Sequence, residues 1–225
     1  MSRRAILFDL DGTLLDTAPD MVHALQRLLA EHDCSPCDYA FARAHVSRGA
    51  AGLVEAGFGQ APDVDVETLR TRFLTLYAER LCVQSALFEG CAELLDRIEA
   101  TADLVWGIVT NKPTWLAEPL LEALALKTRA ATLVCGDTLP RRKPHPDPLL
   151  HAAAHVEVAP SRCLYAGDDL RDIHAAHAAA MPVIAAAWGY IAPGEDPVDW
   201  RADAVLPSPA DLTDWLGARG WFHGA

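Results

Sequence analysis

The amino-acid sequence predicts an α/β fold: a doubly wound, mostly parallel sheet with an α-helical domain inserted after the first strand. Short apolar runs without polar alternation recur along the chain, as strands buried on both faces do. Helical patterns separate most of them, which is the order of a parallel sheet with crossover helices. One long stretch, 16–86, breaks the alternation with helical spacing and no convincing strand.

The first strand is Ala5-Ile6-Leu7-Phe8, closed by a glycine turn at Gly12. In the insert, Met21, Val22, Leu25, Leu28 and Leu29 recur at helical spacing over 18–32, and Leu69, Phe73, Leu76 and Tyr77 do so over 66–81. Gly49, Gly52, Gly57 and Gly59 punctuate a third helix between them. Helices follow near 91–99, 114–125, 147–154 and 171–179, with Pro113 at a helix start where its missing N–H costs nothing. The remaining strands fall at 104–109, 131–134, 162–166 and 182–186, the last of these closing the sheet. The tail beyond Pro193 is expected to form loops and a short helix over 210–217. The expected domains are a core of 1–15 and 87–225 and a helical cap of 16–86.

With 225 residues, 51% of them hydrophobic and 22% charged, the chain can bury a full core and is not a disordered polymer. Its net charge of -12 argues against nucleic acid or an anionic membrane as partner. No run approaches the ~20 apolar residues of a membrane-spanning helix. Met1-Ser2-Arg3-Arg4 resembles the start of an export signal, but the apolar run behind it ends at Asp9, so a cytoplasmic protein is expected. The six cysteines are scattered, and Cys34-Ser35-Pro36-Cys37 is read as a loop between helices, since a zinc site needs four placed ligands. The chain has 16 arginines and three lysines, and two of those, Lys112 and Lys143, sit beside motif residues, where a compact ammonium suits a phosphate or an aspartate. Lys112 is nonetheless assigned to a loop.

Chemistry is expected where the strands end, because open parallel sheets bind ligands beyond their carboxyl edges. Asp9 and Asp11 stand two residues apart at the end of the first strand and point to one side. Two bare carboxylates about 4 Å apart repel by roughly 4 kcal/mol at an effective dielectric of about 20, so such a pair calls for a cation, a shared proton or a reaction that needs it. Thr110 and Asp168 end two further strands at the same edge.

These residues carry a resemblance to the haloacid dehalogenase superfamily of phosphatases with a helical cap. Asp9-Leu10-Asp11-Gly12-Thr13, Thr110-Asn111, Lys143-Pro144 and Gly167-Asp168-Asp169-Leu170-Arg171-Asp172 match its four motifs in order and spacing, over nearly the whole chain. The resemblance implies that Asp9 attacks phosphorus and forms an aspartyl-phosphate, while Asp11 serves as general acid and then base. It implies a Mg²⁺ ion held by Asp9, Asp11 and Asp168, with oxygen ligands as this hard cation prefers. Asp169 and Asp172 would hold waters or the lysine, with Asp169 alternatively only structural. Thr110, Asn111, Lys143 and Thr13 would meet the phosphate, and Arg48 in the cap would reach substrate or face water. The implied partner is a small phosphate monoester, on a monomer or homodimer.

A finer resemblance runs through Trp106-Gly107-Ile108-Val109-Thr110-Asn111-Lys112-Pro113, Gly167 to Ile173 and Trp188-Gly189-Tyr190-Ile191, with Trp200 and Asp203 downstream. It is to bacterial phosphatases of N-acetylmuramic acid 6-phosphate in cell-wall recycling, with phosphoglycolate phosphatases as the alternative. A non-catalytic phosphate- or partner-binding module would be expected to have lost one of Asp9, Asp11, Thr110, Lys143 and Asp168, and all are present. A phosphomutase would differ in product rather than in motif.

Overall fold

The computed structural model describes residues 3–59 and 65–222. β1 (Arg4–Phe8) is the strand of the first apolar run, and Ala5, Ile6 and Leu7 are fully buried. Its alternate residues enter different cores: Ile6 and Phe8 face one, Ala5 and Leu7 the other, as the two-residue period of a strand requires. β2 (Leu15–Asp16) leads into α1 (Ala18–Glu31), which buries the five apolar residues named from its spacing. The middle of the insert holds two helices rather than one: α2 (Tyr39–Arg43), started by the Asp38 carboxylate accepting the Phe41 N–H, and α3 (Gly49–Phe58). α4 (Val66–Ala78) begins at Asp65, whose side chain accepts from the N–H groups of Glu67 and Thr68, the expected helix start.

β3 (Ala86–Leu87) brings the chain back and pairs antiparallel with β2. This pair corrects the expectation that 16–86 contains no strand. Two residues per strand are too few to show a period, so only pairing across 70 residues of sequence reveals them. The chain continues through α5 (Cys91–Glu99), β4 (Leu104–Val109), α6 (Thr114–Ala123), β5 (Leu133–Val134), α7 (Asp147–His155), β6 (Cys163–Gly167), α8 (Leu170–Ala178) and β7 (Val183–Ala186). A further edge strand, β8 (Ala204–Leu206), precedes α9 (Pro209–Ala218). β7 is the last fully buried strand, and β8, whose three residues are only half-buried, extends the sheet beyond it.

The six-stranded sheet has the order β5-β4-β1-β6-β7-β8, and every neighbouring pair is parallel. Residues of α5, α6 and α9 cover one face and residues of α7 and α8 the other. The sheet is thus doubly wound. α1 to α4 share a third core, joined from the sheet side by Leu116 and Tyr190. β1 lies between β4 and β6, so the chain turns one way and later the other from the central strand. The crevice formed at such a reversal is where this class of sheet takes its ligand, and Asp9, Thr110 and Asp168 stand at its edge.

Candidate active site

Asp9 follows β1 directly, with its N–H bound to the Ala166 carbonyl at 2.8 Å, which fixes its backbone to the neighbouring strand. The Lys143 ammonium lies 2.9 Å from its carboxylate and 2.7 Å from that of Asp172. Lys143 also donates to the Tyr165 hydroxyl at 2.8 Å, which in turn donates to the Val109 carbonyl at 2.8 Å. Burial alone would lower the Lys143 pKa, but Asp172 and Asp9 outweigh it and hold the ammonium above the usual lysine value. Burial pushes Asp172 up, against the pull of Lys143 and with the crowding of Asp9, Asp169 and Asp168. Asp172 and Asp169 close a reciprocal cap on α8, each carboxylate accepting a backbone N–H near the other. The Asp169 carboxylate also holds the Arg171 guanidinium at 2.8 Å through two nitrogens.

Asp168 is almost fully buried and accepts from the Thr13 hydroxyl at 2.9 Å, the Tyr190 N–H at 2.9 Å and the Ser47 hydroxyl at 2.5 Å. Its carboxyl is pushed up to about 7, by burial first and then by the charge of Asp9, despite these donors. Gly12 is required beside it: its φ of +91° disfavours other residues, and a Cβ there would collide with the Asp168 carboxylate.

Asp11 faces a different cation. Lys112 Nζ lies 3.0 and 3.3 Å from its two oxygens and donates to the Tyr77 hydroxyl of α4 at 3.1 Å. The Thr17 hydroxyl donates to Asp11 at 2.6 Å. Burial would lower the Lys112 pKa, but Asp11 and Tyr77 hold it above the ordinary value. Lys112 stands in the loop after β4, as expected, and its side chain is buried. It is buried because the turn after β4 aims it back across the sheet edge, and the scarcity of lysine was the signal for it.

A cavity of about 520 Å³ opens over this edge. Asp9, Asp11, Thr110, Asn111 and Lys112 form its floor, and Ser47, Arg48, Arg70 and Tyr77 of the helical insert reach it from above. Lys143, Asp168, Asp169, Asp172 and Thr13 lie beneath that floor instead of lining it. Thr13, expected to meet substrate, is fully buried and gives its hydroxyl to Asp168. Asn111 gives its amide N–H to the Lys143 carbonyl at 3.0 Å, while its buried Oδ1 has no protein partner among the described residues. Arg48 lines the cavity and pairs with Glu195 at 3.0 Å, joining the insert to the core. Ser47, Arg171, Tyr165 and Tyr190 were not foreseen. Arg171 and Tyr190 lie within matched motifs without an assigned role, and the Arg171 guanidinium reaches Ser47 only through the tertiary fold, donating to its carbonyl at 2.6 Å.

Asp9, Asp168 and Asp172 each place a carboxylate oxygen within 4.8 Å of the others. Both Asp172 oxygens already serve Lys143 and the Asp169 N–H. Asp9 and Asp168 are then the pair whose mutual repulsion a hard divalent cation would relieve, and their all-oxygen donor set suits one.

The sequence profile of haloacid dehalogenase-like hydrolases matches residues 6–186. The chain is 45% identical over 217 residues to an N-acetylmuramic acid 6-phosphate phosphatase of Pseudomonas aeruginosa, covering 96% of both chains. It is 46% identical over 209 residues to a phosphoglycolate phosphatase of Xanthomonas campestris, covering 93% of this chain and 94% of that one. A crystal structure of a predicted phosphoglycolate phosphatase from Haemophilus somnus superposes with a TM-score of 0.84 at 26% identity, over 96% of this chain and 98% of that one. The chain belongs to the haloacid dehalogenase-like hydrolases, and within that family it is a phosphatase.

Proposed function

We propose that the enzyme hydrolyses N-acetylmuramic acid 6-phosphate through an aspartyl-phosphate on Asp9, with Mg²⁺ as its metal. The observation that carries the chemistry is the Asp9 carboxylate at the cavity floor, backed by a buried ammonium at 2.9 Å. In this reading an Asp9 oxygen attacks phosphorus and the P–O bond to the sugar breaks. Asp11 gives a proton to the departing O6, then takes one from the water that attacks the phospho-aspartate and returns Asp9. Lys143 neutralises Asp9, and Asp172 and Tyr165 hold Lys143 in place. Thr110 and Asn111, at the turn before α6, hold phosphate oxygens. Asp9, Asp168 and the Asp11 carbonyl would hold Mg²⁺, which when bound offsets negative charge on the carboxylates and the phosphoryl group. Residues 16–86 act as the cap that closes over the ester, on the core of 1–15 and 87–225, and the enzyme works in the cytoplasm.

The size of the cavity supports the sugar ester. About 520 Å³ lies within the ~300–1,000 Å³ of sites that enclose ligands of drug size, more room than a two-carbon acid needs. The Pseudomonas relative is named for the same ester. A relative of equal identity is named for phosphoglycolate, which makes 2-phosphoglycolate the second reading. The test is kcat/KM on the two esters side by side, with Mg²⁺ and then with EDTA. The muramic ester should lead by about tenfold or more, and EDTA should silence both reactions. A lead of that size for 2-phosphoglycolate overturns the substrate, and undiminished turnover in EDTA overturns the metal.

A further inference from the structure

The cavity concentrates positive charge in a chain whose net charge is -12. Five basic side chains line it: Arg48, Arg70, Lys112, Arg142 and Arg171. Four of them have acidic partners. Arg48 pairs with Glu195, Arg70 with Glu67 through two nitrogens, Lys112 with Asp11 and Arg171 with Asp169. Arg142 has none among the described residues. Its neighbour in sequence shows the contrast, because Arg141 turns outward and forms a two-point pair with Asp147 at 2.7 and 2.9 Å.

The loop that carries Arg142 is anchored at several points. The Arg142 carbonyl accepts the His145 N–H at 3.0 Å, and the next carbonyl, that of Lys143, accepts the Asn111 amide at 3.0 Å. Lys143 itself is locked among Asp9, Asp172 and Tyr165. The backbone of Arg142 is thus fixed one residue from the buried lysine, and its exposed side chain lines the cavity. Asp137, which also lines the cavity, accepts the N–H and hydroxyl of Thr114 at 2.9 and 2.5 Å through one oxygen and forms no ion pair with Arg142.

We propose that Arg142 determines specificity by taking a carboxylate on the substrate, apart from the phosphate. A guanidinium suits this task because its fork matches a carboxylate at two points. In the proposed reading Thr110 and Asn111 take the phosphate at the floor, with Lys143 beneath it, so the unmatched arginine on the wall selects a second anionic group. The assignment rests on the proposed reading, since the muramic ester carries a lactic acid carboxylate that its parent, N-acetylglucosamine 6-phosphate, lacks.

The experiment measures kcat/KM for these two esters with the intact enzyme and with Arg142→Gln and Arg142→Lys. The wild type should prefer the acid. Arg142→Gln should cut the ratio of acid to neutral ester by about 10–100-fold, mainly through KM, and Arg142→Lys should fall between. A ratio unchanged by Arg142→Gln overturns the assignment. Should the wild type ignore both sugar esters, the muramic reading fails alone. Arg142 is then judged on 2-phosphoglycolate against ethyl phosphate, its counterpart without a carboxylate, by the same ratio.

Discussion

The floor of the site and its roof are built by opposite rules. The floor comes from the ends of three adjacent parallel strands, and its charged groups are buried and matched. Directly beneath it, Lys143, Asp172 and Tyr165 sit almost out of reach of water, each with a partner within 2.8 Å. The roof comes from the helical insert and meets the core partly through half-exposed groups, beside the buried Tyr77–Lys112 contact. The Arg48–Glu195 pair leaves 47% and 34% of its two side chains accessible. Buried charges hold one geometry because every alternative leaves a charge unpaired in a poor solvent. Exposed pairs are screened and cheap to break. In the proposed reading the floor carries a reaction that tolerates no displacement, and the roof must open and close.

The contrast breaks first, if it is wrong, at Asp9. Asp9→Asn keeps the shape of the side chain and removes the nucleophile, so turnover should fall by roughly 10⁴-fold or more with the fold intact by circular dichroism. Near-normal turnover would mean that the matched floor serves structure only.

The second test uses the one strongly shifted acid of the proposed metal pair. The folded pKa of Asp168, about 7, lies above the ~3.9 of an unfolded aspartate. Without metal, the folded chain therefore keeps a proton that the unfolded chain releases. That contribution to stability is fully present below about pH 4 and is lost as pH rises through about 7. A divalent cation can take the place of the proton only where the carboxylate is ionised. Mg²⁺ should raise Tm by about 5 °C or more at pH 8 and by less than about 1 °C at pH 5. An equal shift at both values, measured by calorimetry, would separate Asp168 from the metal.

The smallest effect is expected in the roof. Glu195→Gln removes the partner of Arg48, and because both are partly exposed the change in unfolding free energy should stay within about 1 kcal/mol in denaturant titration. A larger loss would show that the roof, too, is fixed by its ion pairs.

Much of the floor was legible in the sequence because it lies at strand ends, and buried parallel strands announce themselves as unbroken apolar runs. Asp9, Asp11, Thr110 and Asp168 each follow such a run, and Lys143 was visible as a rare lysine in a matching motif. Less of the roof was legible. Ser47 stands beside the candidate Arg48 but carries no signal of its own, yet its hydroxyl meets Asp168 at 2.5 Å across 121 positions. Lys112 was legible as a loop lysine but its burial was not, because burial of a lysine depends on what the fold sets opposite it. β2, β3 and β8 are too short for any period to show.

The sequence by itself determined the class of sheet, the helical insert and the polar residues at the sheet's carboxyl edge, because burial imposes local periods and punctuation that a single chain displays. The tertiary structure decided which charge faces which: it sets Lys143 between Asp9 and Asp172, Lys112 against Asp11, and Arg142 against no acid among the described residues. Those pairings join residues far apart in the chain, and an ionic contact depends on distance and burial, neither of which is written in the order of the residues.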